Sequence, residues 1–166
     1  MIAAVPDFLF ATSQDFNQDT YDSEQAYHIR NVRHYFNNGV MLINTALYNQ
    51  AVTSDQLLDM INNGHYHLAD QTIANMLAED SLQLLPFRYN YQHGKDWFQE
   101  EHNFDRSLLK RVQDEYPNIV IRHFAGTGRL TPPYLHVRVK DEWEAEFWRL
   151  FYNTKLLSRG FDKDLS

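Results

Sequence analysis

The chain has 166 residues, a net charge of −7 and 43% hydrophobic content with 3 Trp, 10 Tyr and 11 Phe, which is core material for one compact domain and excludes wholesale disorder. It holds no cysteine, so a disulfide framework, a thiolate zinc site, an iron–sulfur cluster and a cysteine nucleophile are all excluded. Residues 1–80 carry two cations against ten carboxylates (−8) and residues 81–166 thirteen against twelve (+1), so any anion-binding surface belongs to the second half.

The apolar start, MIAAVPDFLFATSQ, lacks a basic leader and is broken by Pro6 and Asp7, so it reads neither as a secretory leader nor as a membrane span. The expectation is a cytoplasmic protein without membrane contact. A short strand is expected near Phe8 to Ala11. A helix follows, capped by Asp22 or Ser23, with Ala26, Ile29, Val32 and Phe36 at helical spacing and Gly39 as its stop. The run VMLINTALYNQ, 40–50, has no clean alternation and leans towards a strand.

Thr53 or Ser54 caps a helix with Leu57, Leu58 and Ile61 inward, ended by Gly64, and a second helix carries Ile73, Met76 and Leu77 on its apolar side. The segment 82–90 reads as extended, with Pro86 marking an edge or bulge. Asp105 caps a helix over 105–116 that stops before Pro117. The stretch 118–140 alternates in two runs around a glycine-rich connection and predicts a β-hairpin. A helix over 141–159 closes the series, with Trp143, Phe147, Leu150, Thr154 and Leu157 on one stripe and Trp148, Tyr152 and Leu156 on a second.

The tempting chemistries are tested against these elements. The helix pair at 54–80 has no Lys or Arg to face phosphates, so DNA binding through it is not expected. His65 and His67, with Asp70 close and His93 or His102 as candidates to join them, supply too few ligands in sequence for a metal site. The loop AGTGRLTPP runs into a strand rather than a helix, so it is a connection and not a phosphate loop. Strand parity turns His123 inward and His136 outward, which argues against a two-histidine phosphodiester site. No Gly-x-Ser-x-Gly elbow is present. Metal and cofactor are both read as none.

The expected fold is a single α+β domain over residues 1–166, an antiparallel sheet around the hairpin at about 118–140 with about five helices packed on it. The expected binding surface is the hairpin's outer face, Arg122, Tyr134, His136, Arg138 and Lys140, with Arg129 on the loop. Such a face suits an acidic protein partner or a second subunit first, and nucleic acid or another anion second. The function expected is a noncatalytic binding or regulatory protein. The alternative is a small metal-independent phosphodiesterase or RNA-binding protein in which His136 serves as general acid and the arginines clamp the transition state.

Overall fold

The computed structural model describes residues 1–19, 29–64, 66, 68–99, 103–125 and 133–161, with the side chains of 99 and 156–161 excepted. The chain forms two compact units, one of Met1–Tyr91 and Glu101–His123, the other of Gln92–Glu100 and Phe124–Ser166. Among the described residues no helix is long and apolar enough to cross a membrane.

The first unit is organised by strand β1, Ile2–Pro6, whose alternate and bulged positions are nearly all buried. Asp7 follows it and caps the short helix α1, Phe8–Thr12, by accepting a hydrogen bond from the Leu9 amide at 3.1 Å. The strand expected at Phe8 to Ala11 is therefore a helical turn, and the strand lies one element earlier. Strand β2, Phe36–Ile43, runs antiparallel to β1 with Ile2 opposite Ile43 and Ala4 opposite Met41. Strand β3, Leu82–Leu84, pairs with β1 in parallel, giving the order β2-β1-β3.

This mixed amino-terminal sheet overturns the antiparallel sheet around a hairpin at 118–140. Residues 116–118 form a 3-10 turn, Arg122 makes a single isolated bridge to Tyr91, and Pro133–Leu135 form another 3-10 turn. The glycine loop 126–132, with Arg129, lies outside the described residues. Val137 and Val139, the supposed inner face, are exposed.

The helix expected to end at Gly39 is also corrected. Its first part lies outside the described residues, but Val32–His34 is a 3-10 turn and Phe36 already begins β2. Val32 and Phe36 are four apart because they serve two different apolar clusters. Val32 packs with Phe10, Ile29 and Tyr35, whereas Phe36 packs with Ile2, Ala4 and Ala78.

Helices α2, Thr45–Ala51, and α3, Ser54–Asn63, follow β2, the second capped by Thr53 onto the Gln56 amide at 3.2 Å as its sequence indicates. Leu58 and Ile61 of α3 are exposed, contrary to the inward placement read from their spacing. Helix α4, Ala69–Ala78, buries Ile73 but also Gln71, Thr72 and Asn75. Those three polar side chains have partners on the chain entering β2. Asn75 both accepts from the Phe36 amide at 2.8 Å and donates to its carbonyl at 2.9 Å, and the Tyr35 and Thr72 hydroxyls are 2.7 Å apart. Helix α5, Arg106–Asp114, is capped by Asp105 as expected and buries Val112.

The second unit contains helix α6, Glu142–Phe161. Its start is fixed by reciprocal capping. The Glu144 amide donates to Asp141 at 2.9 Å, and the Glu144 carboxylate accepts from the Lys140 amide at 2.8 Å. Phe147 meets Phe124 edge-on, while Leu150, Phe151 and Tyr152 are exposed. Trp97 is fully buried in this unit, with the His93 ring stacked on it at 4.6 Å.

Candidate functional site

Because β1 and β3 are parallel and β2 is antiparallel to β1, the carboxyl ends of β1 and β3 and the start of β2 share one edge of the sheet. In open α/β sheets that edge is where ligands bind. Here it gathers Asp7 from the end of β1, Asn37, Asn38 and Gly39 from β2, and Asp70 and Gln71 from the first turn of α4. Asn90 and His123 join from two further segments of the same unit.

These side chains form one continuous hydrogen-bonded chain. Gln71 Nε2 donates to Asp7 Oδ2 at 3.3 Å, and Gln71 Oε1 accepts from Asn37 Nδ2 at 3.2 Å. Asn37 Oδ1 accepts from Asn90 Nδ2 at 3.1 Å, and Asn90 Oδ1 lies 3.0 Å from His123 Nδ1. Asn37, Gln71 and Asn90 are buried, so each amide must be matched, and the chain does so from end to end. Its outer rim is Asn38, whose amide donates to Asp70 Oδ2 at 2.7 Å, and the exposed Asp70 itself.

The direction of the chain fixes the histidine. Asn90 uses its amide nitrogen on Asn37, so its oxygen must accept, and His123 Nδ1 must carry the proton. His123 Nε2 is left as a lone-pair acceptor. Burial, and next the positive charge of Arg122, hold the His123 pKa below its ordinary 6.5, which favours the neutral ring. At the other end, burial pushes the Asp7 carboxyl above its ordinary 3.8, against hydrogen bonds from Gln71, Leu9, Phe10 and Asn37 that pull it down.

Two backbone features tighten the site. A Cβ at Gly39 would lie 2.2 Å from His123 Cε1, so only glycine lets the ring rest against β2. Ala69, next to Asp70, has φ +42°, a left-handed conformation that a residue with a side chain adopts at a cost of about 1–2 kcal/mol. Strain of this kind marks positions held by their surroundings. Among the described residues no three His, Asp or Glu side chains are grouped so as to hold a metal ion. His65, His67 and His102 lie outside the described residues.

The residues singled out on the expected hairpin are not brought together on a sheet face. Arg122 is half-buried, and its Nη1 donates to the Tyr91 carbonyl at 3.0 Å and to the His123 carbonyl, so it ties backbone together. Tyr134 and Arg138 are exposed in the second unit. Lys140 is ion-paired with Asp96 at 2.7 Å. His136 is not outward: its side chain is 10% exposed, and Nδ1 bonds to the Glu144 carboxylate. Its Nε2 is buried, with no hydrogen-bond partner among the described residues.

Reading by strand parity missed Asn37, Gln71 and Asn90. The available signal was the i, i+4 pair Gln71 and Asn75 beside Ile73 and Ala78, a helix face mixing amides with apolar residues. The adjacent amides of YFNNG were the second.

Residues 1–129 match the model of glycosyl transferase family 8. The chain is 34% identical over 114 residues to the glycosyltransferase GlyE of Streptococcus pneumoniae serotype 4, covering 65% of this chain and 26% of that protein. It is 29% identical over 110 residues to the glycosyltransferase GlyF of the same organism, with the same coverage of 65% and 26%. The chain thus spans about a quarter of the length of these relatives. Among solved structures, the apo form of the bifunctional glycosyltransferase WbbM superposes with a TM-score of 0.62 at 19% identity, over 90% of this chain and 30% of that one, a likeness of fold. These matches overturn the expectation of a noncatalytic protein acting through protein contacts, and with it the phosphodiesterase or RNA-binding alternative.

Proposed function

This chain belongs to glycosyl transferase family 8, and from that premise we propose that the chain of amides between Asp7 and His123 binds the sugar in a glycosyl-transfer reaction. In such a reaction an acceptor hydroxyl forms a bond to the anomeric carbon of an activated sugar. The bond from that carbon to its leaving group breaks, and the hydroxyl proton passes to a base.

A sugar presents several hydroxyls at fixed angles, each able to donate and accept. A rigid set of carboxamides, carboxylates and a neutral imidazole is the matching chemistry, because every buried group already has one partner that fixes its direction. His123 Nε2 offers a lone pair to a hydroxyl, and Asp70 offers carboxylate oxygens at the rim. Asp7, pushed up by burial, is the group best placed to hold or take a proton, which suits it to a hydroxyl that must lose one. Gln71 links the two functions, since one amide touches Asp7 with its nitrogen and Asn37 with its oxygen.

The observation that carries this reading is the unbroken chain of four hydrogen bonds from Asp7 to His123, lying at the carboxyl edge of the sheet within the family-matched residues. Its test is sugar transfer from activated donors by the intact protein and by Gln71→Ala.

A further inference from the structure

A cleft of about 530 Å³ opens on the first unit, beside the polar chain but separate from it. One wall is apolar: Leu84, Pro86 and Phe87, where the chain leaves β3. Phe87 is fixed there by edge-on packing against Phe8, with ring centroids 5.4 Å apart. The other wall is the carboxyl end of α5 and the turn after it, with Arg111, Asp114, Glu115 and Asn118. The volume falls within the roughly 300–1,000 Å³ of small-molecule sites.

The charges of the cleft are unevenly satisfied. Asp114 is paired with Lys110 at 2.7 Å and Glu115 with Arg88 at 3.2 Å. Arg111 has neither an ion pair nor a side-chain hydrogen bond among the described residues, and the Asn118 carboxamide is also unengaged. Once the two pairs cancel, one positive charge remains, on a planar fork that accepts a carboxylate or phosphate in two parallel bonds. A planar cation, a carboxamide and an apolar face together suit a sugar ring bearing one acidic group.

The cleft lies on the same sheet edge as the polar chain. Pro6, which lines it, is followed by Asp7, and its apolar wall continues from the end of β3. β2, with Asn37, lies on the opposite side of β1 from β3. A saccharide laid along this edge would meet both. We propose that the cleft is an acceptor subsite that holds an acidic sugar unit, its carboxylate or phosphate paired with Arg111. This rests on the glycosyltransferase reading.

The test is a titration of the full chain with glucuronate, glucose 6-phosphate, glucose and inorganic phosphate, followed by amide shifts in the NMR spectrum. Both acidic sugars are expected to move the amide resonances of Leu84, Leu85, Phe87, Arg111, Glu115 and Asn118, at least tenfold more tightly than glucose or phosphate. Arg111→Ala should lose at least tenfold of that affinity and Arg111→Lys less, with thermal unfolding unchanged because Arg111 is exposed. Asn118→Ala should weaken both sugars but not phosphate.

Glucose binding as tightly as the acidic sugars overturns the role of Arg111. Phosphate binding as tightly as glucose 6-phosphate reduces the cleft to an anion site. Acidic sugars that bind equally well to Arg111→Ala overturn the proposal altogether. Gln71→Ala should bind acidic sugars in the cleft as wild type does. If neither protein transfers sugar while the cleft still binds, the transfer reading fails and the sugar site stands.

Discussion

Replacing Asn37 by Ala breaks the polar chain at its middle. Among the described residues the side chain makes four hydrogen bonds: one to the Asp7 carboxylate, Nδ2 to Gln71 Oε1 at 3.2 Å, and Oδ1 from the Gly39 amide and from Asn90 Nδ2, both at 3.1 Å. The Gln71 oxygen keeps a second donor in the Asn38 amide at 3.4 Å, so its loss is partial. The donors of Gly39 and of the fully buried Asn90 lose the acceptor they share. At about 1–2 kcal/mol for each donor left unsatisfied, the cost is roughly 2–4 kcal/mol. Urea titration measures it, with Asn63→Ala as control, since the Asn63 amide bonds to Asp59 in solvent and its loss should stay within about 0.5 kcal/mol. Nitrogen-15 shifts of the His123 ring add a second readout, because Asn90 then loses what fixes its orientation and the Nδ1-protonated tautomer loses its preference. A loss below about 0.5 kcal/mol with an unchanged His123 tautomer would refute the reasoning.

Two further substitutions probe the ends of the chain. The Asp7 carboxyl has its folded pKa raised above the ordinary 3.8, so the stability it contributes is complete below that value and is lost as pH rises through the folded pKa. Asp7→Asn keeps the N-cap of α1, removes that decline and should be the more stable protein at neutral pH; urea titrations from pH 4 to 8 that coincide for both would contradict it. His123 works in the opposite sense, its share being present above 6.5 and lost as pH falls towards its lowered folded pKa. Gly39→Ala drives a methyl into the His123 ring, and sugar transfer should fall on the order of 10²-fold while the thermal midpoint moves only a few degrees; unchanged transfer would show that the ring position is immaterial.

Local signals were readable in the sequence and long-range pairing was not. Thr53, Asp105 and Gly64 mark helix ends through hydrogen bonds spanning a few residues, and α3 and α5 begin and end close to where those signals put them. The helix over 141–159 appears as Glu142–Phe161, yet its most buried described side chain is Glu144 rather than either aromatic stripe. Alternation in IVIRHF and LHVRV predicts strands, but alternation cannot say whether a partner strand exists, and neither run forms one. β1 pairs with β3 across eighty residues, a contact that no local period reports.

The site was hidden for a related reason. Asn37, Gln71 and Asn90 are polar, and a reading that sends polar residues outward cannot see amides that are buried because they satisfy one another. Strand parity turns His123 inward and weighs it only against His136, yet no strand forms there and the ring, like Arg122, is half-buried. Its partner is Asn90, thirty-three residues away. The arginines drew attention as free charges, yet Arg122 is spent on backbone carbonyls.

The most direct measurement compares sugar transfer by the intact wild-type protein and by Gln71→Ala, at equal concentrations of folded protein, across a panel of activated sugar donors. Gln71 is the hub that holds Asp7, Asn37 and Asn38. The expected result is turnover with at least one donor, reduced about 10²- to 10³-fold in the variant. Turnover that survives the substitution undiminished, or no turnover by the wild type with any donor, would contradict the assignment of this polar chain as the sugar-transfer site.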